Sequence, residues 1–181
     1  RLSGGQRSFD RYGEVPTPGL TRAKNALGEW DAAEVVRAFR AGIGKDGREL
    51  SAEVHRGYEW MADQDAQAIA AYLRTVTGQS AEVSRRSLSW FARNTTGMFE
   101  SRPPEVGYVP RINSKFPAQY GYYVVHYLAR CVNCHNGPVG FWGGEELLAG
   151  GRVIRTEAGE RVAPSLRALK DGGAAWSETQ L

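Results

Sequence analysis

Apolar residues recur along this chain at helical spacing. Val35, Val36 and Phe39 fall on one face of a segment over 31–40. Ala66, Ile69, Ala70 and Leu73 stand at i, i+3, i+4 and i+7 of a second segment over 63–76. The first segment opens on Asp31-Ala32-Ala33-Glu34, a capping-box pattern, and Ser177-Glu178-Thr179-Gln180 is of the same kind. A glycine-rich turn, Gly42-Ile43-Gly44-Lys45-Asp46-Gly47, separates the two helices. A third helix is expected over 83–93. Beyond it Pro103, Pro104, Pro110 and Pro117 impose an extended stretch. The run 120–130 then reads as a helix. The pattern predicts short helices joined by long irregular loops.

The chain also repeats itself. Leu2, Gly4, Gly5, Gly13, Glu14, Pro18, Leu20, Lys24 and Trp30 each find the same residue type 146 positions later. That is nine identities in 29 aligned positions, where ordinary composition gives about two by chance. A period of this size is that of a domain rather than of a small repeat. Residues 1–78 read as the later part of a first domain, 79–117 as a connector and 118–181 as the opening part of a second domain. On this reading both domains are incomplete within the 181 residues.

Composition narrows the picture modestly. The apolar and charged fractions, 41% and 24%, are those of an ordinary globular protein. The net charge is +3, and the basic residues are scattered, with nothing denser than pairs such as Arg85-Arg86. Nucleic-acid binding needs clustering, so no nucleic acid is expected as a partner. No run approaches the roughly 20 apolar residues of a membrane span. The chain opens Arg1-Leu2-Ser3-Gly4-Gly5, with neither initiator Met nor leader pattern, and is expected to be a processed, truncated or partial polypeptide.

The cysteines carry the chemistry. Cys131 and Cys134 lie in Cys131-Val132-Asn133-Cys134-His135, the C-x-x-C-H sequence of covalent haem attachment. Two thiols three residues apart share a face of a helical turn and can reach two vinyl groups of one porphyrin. The adjacent His135 can then ligate the iron, its other ring nitrogen donating to a nearby backbone carbonyl. The alternatives fit less well. A thioredoxin-like pair expects a strand before the motif, where this chain has a helical pattern. A zinc site needs two further ligands, and only His126 is near in sequence. A disulfide across two residues would be strained.

With these residues in view, the chain resembles the class I-like cytochrome c family in its tandem, multi-haem form. The second copy resembles the opening of such a domain, through Gly121-Tyr122-Tyr123-Val124-Val125, the Cys131–His135 motif and Leu148-Ala149-Gly150-Gly151. The first resembles the closing part, through Gly28-Glu29-Trp30, Asp46-Gly47-Arg48-Glu49-Leu50, Met61-Ala62-Asp63-Gln64-Asp65 and Ala68-Ile69-Ala70-Ala71-Tyr72-Leu73-Arg74. The pattern is similar to cytochrome subunits of periplasmic membrane-bound dehydrogenases. The resemblance implies an all-α fold of small helical domains in tandem. It implies one haem c attached in this chain and a second on an upstream motif. Such domains place a Met-Pro after the D-G-x-x-L turn, the Met being the second iron ligand. Here Val54-His55 stands there, so His55 is the candidate distal ligand of the upstream haem, with a surface histidine and Met61 as the alternatives.

Other conspicuous residues have plainer readings. His126 lies nine residues before His135 and, at 100° per residue, on the opposite face of a continuous helix. Met98 reads as packing and Trp30 and Trp176 as core at a helix start, while Phe141-Trp142 would cover a porphyrin or fill a contact. The function expected is electron transfer rather than catalysis. Redox proteins are the implied partners, on the dehydrogenase, quinol or oxidase side. The location implied is periplasmic or extracytoplasmic, soluble or peripherally bound at a membrane. The alternative is a di-haem enzyme of peroxidase-like or thiosulfate-oxidising type, which needs acid–base residues beside an open iron position.

Overall fold

The structure, a computed structural model, describes residues 2–10, 12–55, 57–84, 86–99, 106–138, 144–156 and 158–167. The chain forms two compact units, Arg1–Tyr120 and Gly121–Leu181. Among the described residues no helix is long and apolar enough to cross a membrane.

The first unit opens with a hairpin, β1 (Arg7–Asp10) paired antiparallel with β2 (Gly13–Pro16). Helix α1 (Ala32–Ala41) follows. Its start is the expected capping box: Asp31 Oδ1 accepts from Glu34 N at 2.7 Å and Glu34 Oε2 accepts from Asp31 N at 2.9 Å. It stops at Gly42, whose φ of 65° is left-handed and open to glycine without a Cβ penalty. A one-turn helix α2 (Ala52–His55) and a 3₁₀ turn (Tyr58–Trp60) lead into α3 (Asp63–Leu73). The core lies where α1 meets α3. Val35, Ala70 and Leu73 are buried, with Leu27, Trp30, Val36, Phe39 and Ile69 packed around them. Ala66 and Ala70 are fully buried; their small side chains leave room for α1 to approach.

The connector lies on this first unit. Thr21 Oγ1 and Ser80 Oγ are 2.8 Å apart, and Ala81 N donates to Ser3 O at 2.8 Å. Arg86 reaches back across the sequence to Asp10, with Nη1 2.6 Å and Nη2 2.5 Å from its two carboxylate oxygens. Further on, Asp63 N donates to Val109 O and Val109 N to Asp63 Oδ1, both at 3.0 Å. Arg40 Nη1 donates to the same Asp63 Oδ1 at 2.8 Å. The helix expected over 83–93 forms later, as α4 (Trp90–Phe99). The residues before it give up helical bonding as Arg86 is drawn to Asp10, and Ser89 Oγ accepts from Ala92 N at 3.2 Å in the manner of a cap.

Asp10 is the densest node of this unit. Besides Arg86 it accepts from Ser51 Oγ at 2.9 Å and from Tyr12 N at 2.8 Å. Burial pushes its carboxyl pKa up. The Arg86 hydrogen bonds, those from Tyr12 and Ser51, and the Arg86 charge outweigh that and hold it below the ordinary carboxylate value.

The second unit follows from α5 (Pro117–Tyr123). A π-helical turn (Val124–Leu128) and the one-turn helix α6 (Cys131–His135) come next, then a hairpin of β3 (Val153–Thr156) and β4 (Gly159–Val162). The two hairpins stand in the same register, 146 residues apart. Around them the hydrogen bonds repeat as well. Gly5 N donates to Thr17 O and Gly151 N to Ala163 O; Leu20 N donates to Leu2 O and Leu166 N to Leu148 O. Gly4, Gly5 and Gly13 have positive φ, as have Gly150, Gly151 and Gly159. The sequence repeat is thus a repeat of backbone conformation. Neither hairpin is expected from the hydrophobic pattern.

Candidate functional site

The site is built around α6. Arg130, just before it, has φ 53° and ψ 41° and is buried. A left-handed backbone in a non-glycine residue costs about 1–2 kcal/mol. It ends the preceding π-helical turn and lets a new helical turn start at once with Cys131. On that turn Cys131, Cys134 and His135 stand at i, i+3 and i+4, and so share a face. Both cysteines are free thiols and half-buried.

His135 is anchored from behind. Its Nδ1 lies 2.8 Å from Pro164 O. A carbonyl oxygen only accepts, so Nδ1 carries the proton and Nε2 keeps its lone pair, the tautomer that a metal ion requires. The His135 carbonyl in turn accepts from Gly150 N at 2.7 Å. Gly150 must be glycine for two reasons. Its φ is +73°, and a Cβ there would collide with Ser165 N and lie 2.6 Å from Pro164 C. Backbone cannot yield as a flexible side chain can. Gly150→Ala is therefore expected to push the Pro164 segment away from His135 and to cost about 2–4 kcal/mol, checked as a fall in the urea midpoint.

A ring of polar contacts closes round the turn. Asn136 Oδ1 accepts from Leu148 N at 3.0 Å, and its Nδ2 donates to Glu145 Oε2 at 3.0 Å. Glu145 Oε1 takes Arg152 Nη2 at 2.6 Å, and Arg152 Nη1 donates to Asn133 O at 2.9 Å. Burial pushes the Glu145 carboxyl up, but the Asn136 amide and the Arg152 guanidinium outweigh it and leave the group below its ordinary value. Leu148 has φ 53°. Among the described residues, Arg130 and Leu148 are the two non-glycine residues with positive φ, and they flank this site.

The donor set fits a covalently attached haem: two thiols on one face of a turn, and a histidine held in the tautomer that presents Nε2. Among the described residues no three His, Cys, Asp or Glu side chains are grouped so as to hold a metal ion alone.

The remaining candidates fall as follows. His55 ends α2 in the first unit, half-buried, with its Cβ 3.6 Å from where a Cβ on Gly42 would stand. Met61 is fully buried just before α3. His126 is committed to its own helix: its ring stacks on Tyr122 at 3.9 Å, and its Nδ1 is 2.9 Å from Tyr122 O. Trp30 packs on the α1–α3 core. Phe141, Trp142, Trp176 and the 177–180 pattern lie outside the described residues, and nothing is described of the Met98 side chain. Sequence reasoning missed Pro164, Gly150, Arg152 and Glu145. The first two carried a usable signal, since both recur as Pro18 and Gly4 in the first copy.

In the first unit the same cradle is present: Gly4 packs against Pro18 and Gly19 as Gly150 does against Pro164 and Ser165, with a Cβ on Gly4 standing 2.5 Å from Gly19 N.

No known family model matches the chain. A nicotinate dehydrogenase subunit of Pseudomonas putida is 30% identical over 188 residues, a match that covers 99% of this chain and 15% of that protein. The chain is thus similar, over essentially its whole length, to one short part of a dehydrogenase subunit.

Proposed function

We propose that this chain is a c-type cytochrome segment that carries single electrons for a dehydrogenase. The observation that supports it best is the Cys131–Cys134–His135 turn with His135 Nδ1 held by Pro164 O. In this reading Cys131 and Cys134 hold a haem c by thioethers and His135 Nε2 is the proximal ligand. When bound, the haem supplies reversible one-electron chemistry, and the chain does the rest. The thiols fix the porphyrin edge, Pro164 O fixes the imidazole tautomer, and Gly150 lets the two segments approach.

The cradle of the first unit supports a second haem, seated on an attachment turn from another part of the polypeptide, with His55 as its candidate distal ligand. The relative is a subunit of nicotinate dehydrogenase. Electrons reaching this chain would come from a dehydrogenase partner of that kind and leave toward a quinone pool or terminal oxidase. Haem c is attached outside the cytoplasmic membrane, which places the protein in the periplasm or on an extracytoplasmic face. The test is a redox titration of the purified protein with its intact mass. Reversible one-electron steps, and haem that survives acid–acetone extraction of the denatured chain, are expected. Loss of all haem colour on extraction would overturn the reading.

A further inference from the structure

Arg152 stands at a junction that the attachment motif does not explain. Its backbone carbonyl accepts from Ala163 N at 2.9 Å, which aligns it with the strand leading to Pro164. Its side chain reaches the other way. Nη1 takes Asn133 O at 2.9 Å, the carbonyl of the peptide bond that enters Cys134. Nη2 takes Glu145 Oε1 at 2.6 Å, and the other Glu145 oxygen takes Asn136, the residue after His135. One residue therefore ties the segment that holds the acceptor of the His135 proton to both ends of the Cys134-His135 step. The guanidinium suits this task because its fork presents parallel donors at fixed separation. The pair is surface-lying, with side chains 29% and 36% exposed, so as an ion pair it stabilises little. Its geometry is the more informative property. At the equivalent position of the first copy stands Gln6, which keeps the backbone contact, Thr17 N to Gln6 O at 3.2 Å, and lacks the charge.

We infer that Arg152 is a positioning residue for the haem-attachment turn: it sets Cys134 and His135 against Pro164 so that both thioethers form and the imidazole keeps its hydrogen bond. The inference rests on the haem reading above. Loss of the clamp frees the Asn133–Cys134 peptide to turn, so some chains attach haem through Cys131 alone and retain one vinyl group. A retained vinyl extends the porphyrin conjugation. Loosening His135 from Pro164 O also makes the imidazole a weaker donor to iron, which favours the ferrous state.

The experiment expresses the whole protein with its maturation machinery as wild type, R152A, R152K and E145Q. It measures the pyridine haemochrome band of the denatured chains and the midpoint potential of the native ones. For R152A a haemochrome band shifted to longer wavelength is expected, from a larger singly attached fraction than in wild type, together with a raised midpoint potential. R152K, with one donor centre in place of a fork, should fall between the two. E145Q keeps one acceptor oxygen and so one of the two contacts, and should fall between wild type and R152A. If R152A does not accumulate, R152K decides by the same readings. A band and potential identical to wild type in R152A, or in R152K where that variant decides, overturn the clamp and leave the haem reading standing. A wild-type protein without covalent haem overturns the haem reading itself, and the clamp with it.

Discussion

On the proposed haem reading, replacing His135 by alanine is expected to leave the haem attached and change its iron. On that reading the thioethers would be those of Cys131 and Cys134, so colour should survive denaturation and acid–acetone washing. The native spectrum should lose its low-spin character or show a substitute ligand, and the potential should move. The fold should barely notice. Pro164 is exposed, so its carbonyl can take a water in place of Nδ1, and the cost should be about 1 kcal/mol, the net worth of one ordinary hydrogen bond. That contrast separates a ligand from a structural histidine. A variant that unfolds, or one with an unchanged native spectrum, would show that His135 serves something other than the iron. Changing both Cys131 and Cys134 to alanine should do the reverse and abolish covalent attachment altogether.

A large and pH-dependent effect on stability is expected at Asp10. Its side chain is 2% exposed, against 20% for Arg86. Asp10→Asn keeps one acceptor oxygen and removes the charge, which leaves Arg86 half-buried beside a neutral group. Breaking a buried pair in this way costs about 3–5 kcal/mol. Arg86 can turn toward water, so about 2–3 kcal/mol is expected here. The effect also has a pH signature. The folded carboxyl titrates below its ordinary value of 3.8, so the unfolded chain binds the proton more readily. The stabilisation is therefore complete above that value and is lost as pH falls through the folded pKa. Urea midpoints measured at pH 6 and across the acid range should show wild type losing stability more steeply than Asp10→Asn below about pH 4. Parallel curves would mean that Asp10 is not the acid-sensitive contact.

Those two residues also mark how far a local pattern carries and where it stops. The Cys131–His135 pattern could be picked out because the whole C-x-x-C-H requirement lies in five consecutive residues. Helices α1 and α3 were legible for a similar reason: a cap and an apolar stripe are local. The hairpins were not. Arg7–Asp10 alternates exposed with half-buried positions, but the inner ones are the polar Ser8 and Asp10, and Val153–Thr156 half-buries Ile154 alone, so no apolar alternation marks them. They are set by glycines with positive φ, Gly13 and Gly159, at the turns. The repeat held the clue, since those glycines recur while the strand residues around them, Glu14 apart, do not. Asp10 gave no sign of its role, because its partner Arg86 lies 76 residues away. The same long-range contact displaced the start of α4. Arg152 was invisible for the same reason, its targets being 19 and 7 residues distant.

The contact between Ser3 and Ala81 brings the two ends of the 3–81 stretch together, and that between Thr21 and Ser80 fastens the exit to its interior. A module whose entry and exit points adjoin can be copied in line, lengthened by a neighbour or moved into another polypeptide without its interior having to adjust. Such a geometry suits a chain that carries the same glycine-and-hairpin signature twice, and suits its likeness to one short part of a much longer dehydrogenase subunit.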